Sequence, residues 1–187
     1  ATSFVHPARV PQMADAEALC AMLPDTDNVR YTGLILNERG YRRLRDTKTI
    51  HEAGLVVPAT NTFSLKNQGL DLDSALAMAT EVIRDGAQTN FPVQVTIAVA
   101  FGCPFEGEVD LKQLLNTAQR LADAGPVEVA LADTIGVAVP TQVRETFTQL
   151  KDKLGELPLR AHFHDTRNTG IANAYASLLA GVSVLDA

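Results

Sequence analysis

Ala161-His162-Phe163-His164-Asp165-Thr166 closes an apolar run, Leu157-Pro158-Leu159-Arg160-Ala161. In an extended strand alternate side chains share a face, so His162 and His164 point one way and Phe163 the other. Two imidazoles on one face at a strand end form half of a divalent-metal site. The pair equally fits a hydrogen-bonded structural pair, because a metal needs further ligands that this spacing does not supply. Asp165 has three readings: a ligand, a carboxylate partner for an imidazole, or a cap for the following helix. The helix-like stretch 171–180 makes this a strand-to-helix junction, where parallel barrels carry their chemistry.

Other polar residues gather just after apolar runs. Asp133, in Ala132-Asp133-Thr134-Ile135-Gly136, could position a substrate or a metal-bound water, or serve as a turn or cap residue. Phe101-Gly102-Cys103-Pro104-Phe105-Glu106-Gly107 reads as a tight, irregular loop. No neighbour in sequence marks Cys103 as a reactive thiol, so it reads as a small buried hydrophobe. Glu106 contacts substrate or is merely solvated. Asn37-Glu38 reads as a helix cap. Asn61, Ser64, Lys66 and Asn67 read as a surface loop, with Lys66 either meeting a phosphate or solvated. His6 and His51 read as structural or exposed.

The elements that must position these residues alternate. Strand patterns fall at 31–36, 54–58, 93–100, 127–131, 159–164 and 182–186, with residues 1–5 resembling the tail of another. Helical spacing runs through Leu72, Ala75, Leu76, Ala79 and Ile83, opened by Asp71 or Asp73. It recurs through Leu111, Leu114, Leu115, Ala118, Leu121 and Ala122, and through Val143, Phe147, Leu150 and Leu154. Most strand patterns are near-continuously apolar, as in a parallel sheet buried on both faces. The class is α/β. A (β/α)8 barrel is favoured over a doubly wound sheet because it gathers the polar loops on one face. GxGxxG after a first strand and GxxxxGK[ST] are both missing from the sequence.

The 187 residues suffice for one domain or part of a larger one. A net charge of −6, no basic run and few aromatics argue against nucleic-acid binding. No apolar run approaches the roughly 20 residues of a membrane span. Two isolated cysteines, Cys20 and Cys103, argue against a disulfide scaffold and suit a reducing, bacterial-type cytoplasm. The chain begins without Met, which leaves a mitochondrial leader open. Neither end reads as a domain boundary.

Taken together these stretches resemble the 3-hydroxy-3-methylglutaryl-CoA (HMG-CoA) lyase family of the DRE-TIM metallolyase superfamily. The likeness is carried by Thr2-Ser3-Phe4-Val5-His6-Pro7, Val10-Pro11-Gln12-Met13-Ala14-Asp15, the Gly102-Cys103-Pro104-Phe105-Glu106-Gly107 loop, Asp133-Thr134-Ile135-Gly136-Val137 and the His162-Phe163-His164-Asp165-Thr166 motif. Ala172-Asn173 and Gly181-Val182-Ser183-Val184-Leu185-Asp186 continue it, and it is weakest at 46–54. The HxH pair fits the wider superfamily, including its isopropylmalate and homocitrate synthases. The GCPFEG loop and the DTIGV stretch point to the lyase branch.

The resemblance implies a (β/α)8 barrel of which residues 1–187 hold about strands 2 or 3 to 8, as one partial domain. It implies His162 and His164 as ligands of Mg²⁺ or Mn²⁺, with one imidazole, His162, also relaying a proton. It implies Asp133 as a catalytic and substrate-positioning residue, and Ser3, Thr134, Asn67 and Glu106 as substrate contacts. The substrate is an acyl-CoA, the reaction a retro-Claisen cleavage of HMG-CoA to acetoacetate and acetyl-CoA, as in leucine degradation and ketone-body metabolism, and the assembly a homodimer. The family's Arg-Asp pair, a Glu, a catalytic Cys and an Asn metal ligand fall outside this sequence, and Cys103 is not that Cys. Arg167-Asn168-Thr169-Gly170 departs from the usual Tyr-Gly-Gln-Ala, Ala138 stands for Gly, and Ala130 stands where some members carry Ser. These departures bear on acyl preference. Alternatives are a condensing synthase acting on a 2-oxo acid, and a silent fragment or binding module. Alone, the segment is expected to be inactive and prone to aggregate through its open edges.

Overall fold

The computed structural model describes residues 2–25 and 27–186. All six central strand patterns are strands: β1 Thr32–Ile35, β2 Glu52–Pro58, β3 Val93–Ala98, β4 Glu128–Asp133, β5 Leu159–Phe163 and β6 Val184–Leu185. They form one sheet in the order β1-β2-β3-β4-β5-β6, every neighbouring pair parallel. A doubly wound sheet reverses its order at a switch point. This one never does, and it has the sequential arrangement of a (β/α)8 barrel over part of its circumference. The expected strand at 1–5 is reduced to one parallel bridge, Ser3 to Leu34, reinforced by Phe4 N donating to Leu34 O at 2.8 Å. Ala1, at its start, lies outside the described residues.

The helices are α1 Ala16–Met22, α2 Glu38–Asp46, α3 Asn61–Gln68, α4 Leu72–Gln88, α5 Leu111–Ala122, α6 Pro140–Leu154 and α7 Gly170–Leu179. Asn37 caps α2 by accepting from Gly40 N, and Asp71 caps α4 by accepting from Ser74 N. The segment expected to be a loop at Asn61 to Asn67 is instead α3. It has no amphipathic pattern, and it is terminated by Gly69 at φ +76°.

The two faces of the sheet differ. Leu55, Val57, Val95, Ile97, Val129, Leu131 and Leu159 are buried with Ile83 of α4, Leu121 of α5 and Phe147 and Leu150 of α6. The alternate residues form a second, mixed row, in which Glu52, Gln94, Thr96, Glu128, Arg160 and His162 interleave with Gly54, Val56, Ala98, Ala130 and Ala132. The expectation of near-continuously apolar strands therefore holds in full on the helix-covered face and is interrupted on the other by Glu52, Gln94, Glu128, Arg160 and His162. The other face carries charge because it lines the interior of the curve.

Candidate functional site

His162 occupies the fourth position of β5, in register with Ala132 of β4. Leu159 and Ala161 are buried toward the helices, and Phe163 joins them by packing its ring 5.9 Å from Phe101. Arg160, His162 and His164 are thereby turned to the opposite face. The rings of His162 and His164 lie 5.0 Å apart at 58°, and the His162 side chain is 39% exposed. The expected shared face is realised.

His162 does not stand alone. Its Nδ1 lies 3.1 Å from Asp186 Oδ2, just beyond β6. Arg160 Nη1 donates to Asp186 Oδ1 at 2.8 Å, while Arg160 Nε donates to Glu128. The hydrogen bond shared with His162, aided by Arg160, holds the Asp186 carboxyl below the usual range against the opposing effect of burial. For Arg160, burial works against the charged form, and the hydrogen bonds to Glu128 and Asp186 outweigh it to raise the pKa. Among the described residues, no group of three or more His, Cys, Asp or Glu side chains is placed to hold a metal by itself. Two neighbouring imidazoles, one already oriented through Nδ1 by a carboxylate, fit half of a divalent coordination sphere.

Loops after β3 and β4 brace this end of the sheet. Asp133 is 1% exposed, and its two carboxylate oxygens accept from Val137 N at 2.9 Å and Ala138 N at 3.0 Å. Its carbonyl accepts from His164 N at 3.4 Å, which joins this loop to the histidine motif. Gly136 allows the close approach: at φ +65°, an added Cβ would meet Thr166 and lie 2.9 Å from His164 O. Thr134 Oγ1 accepts from Val99 N at 2.8 Å. In the β3 loop, Cys103 and Gly107 exchange both backbone hydrogen bonds, and Cys103 Sγ accepts from the Thr60 hydroxyl at 3.1 Å. Cys103 is buried, as read from sequence. Glu106 Oε1 accepts from Thr62 N and ties this loop to α3, and Lys66 Nζ lies 5.1 Å from the Phe105 ring centre.

Of the three readings of Asp165, the structure shows the cap: Oδ1 accepts from Gly170 N at 2.7 Å, at the start of α7. His6 and His51 each accept a backbone N–H, from Ala8 and Tyr31. The fold thus brings Asp133, Thr134, His162 and His164 to one end of the sheet. Ser3, donating to Leu34 O at 3.3 Å, sits at the opposite edge. Asn67 is exposed late in α3. Sequence reasoning missed Asp186, Arg160 and Glu128. The parity of Arg160 with the histidines was its one available signal, since the register that brings in Asp186 is a tertiary property.

A family model described as HMGL-like matches residues 10–187. The chain belongs to the HMGL-like family. A hydroxymethylglutaryl-CoA lyase of Bacillus subtilis is 32% identical over 99% of this chain and 62% of its own length. An (R)-citramalyl-CoA lyase of Chloroflexus aurantiacus is 35% identical over 99% of this chain and 61% of its own. An HMG-CoA lyase from Acinetobacter baumannii, solved with coenzyme A and 3-methylmalate, superimposes with a TM-score of 0.93 at 30% identity. That match covers all of this chain and 60% of that one. The chain therefore spans about three fifths of the relatives it matches, and its HMGL-like relatives are lyases acting on CoA thioesters. Among the described residues, no helix is long and apolar enough to cross a membrane.

Proposed function

We propose that the protein carrying this chain is a divalent-metal-dependent carbon–carbon lyase that cleaves HMG-CoA to acetoacetate and acetyl-CoA. The observation that carries this reading is the pair of partly exposed imidazoles at the end of β5, braced by Asp186 and by the β4 loop. In the reaction the C2–C3 bond breaks, the 3-hydroxyl loses its proton, and C2 is released as the acetyl-CoA enolate, which then takes up a proton. A bound Mg²⁺ or Mn²⁺ supplies positive charge that acidifies the hydroxyl and orients the acyl group.

His162 and His164 would hold that ion, through Nε2 in the case of His162, since Nδ1 faces Asp186. Asp133 acts by holding the β4 loop against the histidine motif, which sets the wall beside the acyl group. Thr134 fixes the end of β3 on the same wall. Glu106 and Asn67 are assigned as further substrate contacts, and Ser3 to the acyl group across the curve of the sheet. The enolate needs a cation. Arg160 does not fill that role, because both of its hydrogen-bonded partners are carboxylates. We assign that cation, with the remaining metal ligands, to parts of a complete barrel beyond the segment described here. The subunits are proposed to pair as homodimers in a bacterial-type cytoplasm, with a mitochondrial setting as the alternative.

The citramalyl-CoA lyase relative, together with Arg167-Asn168-Thr169 at the loop beside the pair, supports a second substrate of the same class, another branched 3-hydroxyacyl-CoA. The deciding assay follows acetyl-CoA release from HMG-CoA and from citramalyl-CoA, with and without Mn²⁺, for wild type and His164→Ala. Metal-dependent turnover should appear with one thioester. It should fall in the variant by more than the roughly 10–100-fold typical of losing an outer-sphere partner. Metal binding without cleavage of either thioester would overturn the reading.

A further inference from the structure

Behind His162 runs a relay of charges that none of the expected site residues includes. Glu128 on β4, Arg160 on β5 and Asp186 beyond β6 are joined in series, and only Asp186 touches the imidazole. Arg160 reaches both acids from one side chain that is 22% exposed, so its guanidinium is confined. One cation between two anions leaves a net negative charge facing the ring. An ionised carboxylate can only accept, so the hydrogen between Asp186 and His162 resides on Nδ1. That choice of tautomer frees the Nε2 lone pair, and the ring of His164 lies 5.0 Å away, centre to centre.

We propose that Asp186 is the positioning residue of His162. By accepting Nδ1–H it fixes the tautomer and ring plane so that Nε2 is presented to a divalent cation, and Arg160, anchored by Glu128, holds Asp186 in place. The inference rests on the metal-site reading above. It adds a carboxylate contributed from just beyond β6, so the ring is oriented only after β6 has docked on β5. Outer partners of this kind are worth about 10–100-fold in metal affinity.

The test reads tautomer and affinity separately in the protein as its gene encodes it. Ring nitrogens are labelled with ¹⁵N, and long-range ¹H–¹⁵N correlation of the metal-free protein identifies His162 by its loss in His162→Gln. Binding of Mn²⁺ alone is followed by electron paramagnetic resonance. Wild type should show His162 as the Nδ1–H form. Asp186→Ala should lose that preference and bind Mn²⁺ about 10–100-fold more weakly. Asp186→Asn, whose carbonyl oxygen still accepts, should restore the tautomer and most of the affinity, which a merely structural role would not predict. An Nε2–H form in wild type, or Asp186→Ala with unchanged tautomer and affinity, would overturn the proposal and leave the lyase reading standing. A tautomer governed by Asp186 in a protein that binds no Mn²⁺ would instead retain the orientation of the ring and remove the metal site.

Discussion

Val99 is the residue where the sheet stores strain beside the histidine motif. It is β-branched and fully buried, yet it sits at φ +52°, where L side chains crowd their own backbone. Such a conformation persists only when the surroundings over-determine it. Thr134 provides that constraint, because its hydroxyl accepts the Val99 N–H across from β4. The turn it fixes sends the chain into the loop that carries Phe101, whose ring packs against both Phe147 and Phe163. Replacing Thr134 with Val keeps the shape and leaves a buried N–H without its acceptor, a cost of about 1–3 kcal/mol. Urea unfolding should show that loss for Thr134→Val and a smaller one for Thr134→Ser. Equal stability of Thr134→Val and wild type would mean that the strain is held elsewhere.

Among the elements, the mixed row of the sheet carries its own signature in pH. Glu52 opens β2 within this row, and burial pushes its carboxyl above the usual 4.5 despite the charges of Arg30 and Arg160. A raised native pKa means that the folded state binds the proton more tightly than the unfolded chain. Its contribution to stability is therefore full below the unfolded value and is lost as pH rises through the folded one. Glu52→Gln should flatten that part of the stability–pH curve, measured by denaturation at successive pH values from about 4 upward. An unchanged slope would mean that Glu52 is better solvated than its place suggests.

The same scale shows what was legible in the sequence. Strands β2 to β5 and helices α4 to α6 announce themselves because each buries apolar residues whose period survives in the sequence, while β6 and α7 were legible from apolar patterns that the fold leaves largely exposed. Helix α2 has four arginines and buries only Gly40, Tyr41 and Leu44, so its start was visible in the Asn37 cap and its body was not. Helix α3 buries only Ser64 fully, and α1 only Ala16 and Cys20, which leaves nothing periodic to read. The histidine pair was legible because strand parity is local. Asp186 was not, because its approach depends on the Arg160–Val184 register between two strands. Asp165 could be read only as a choice, which the backbone turn 165–170 decides.

For the molecule as a whole, one flank is apolar and uncovered. Ile171, Tyr175, Leu178 and Leu179 follow the i, i+4, i+7, i+8 spacing of a single helical stripe on α7. They are 86%, 64%, 47% and 61% exposed, whereas Asn173, Ala176 and Ser177 face inward. Next to them the sheet ends in β6, two residues long, with Leu185 also partly exposed. In a closed barrel a further helix covers such a stripe and a further strand pairs such an edge. Produced as these 187 residues alone, the chain should bury the stripe and the edge by self-association. Light scattering should then give a mass that climbs with concentration into the range of about 100 μM, with no lyase turnover. Ile171→Glu with Leu179→Glu alters only exposed positions, so it should lower that mass while leaving the circular dichroism spectrum and melting temperature near those of the parent. A chain that stays monomeric over that range, or that cleaves HMG-CoA unaided, would show that the sheet is sufficient without cover on this flank. Association that persists at full strength in the double variant would place the adhesive surface on the β6 edge rather than on α7.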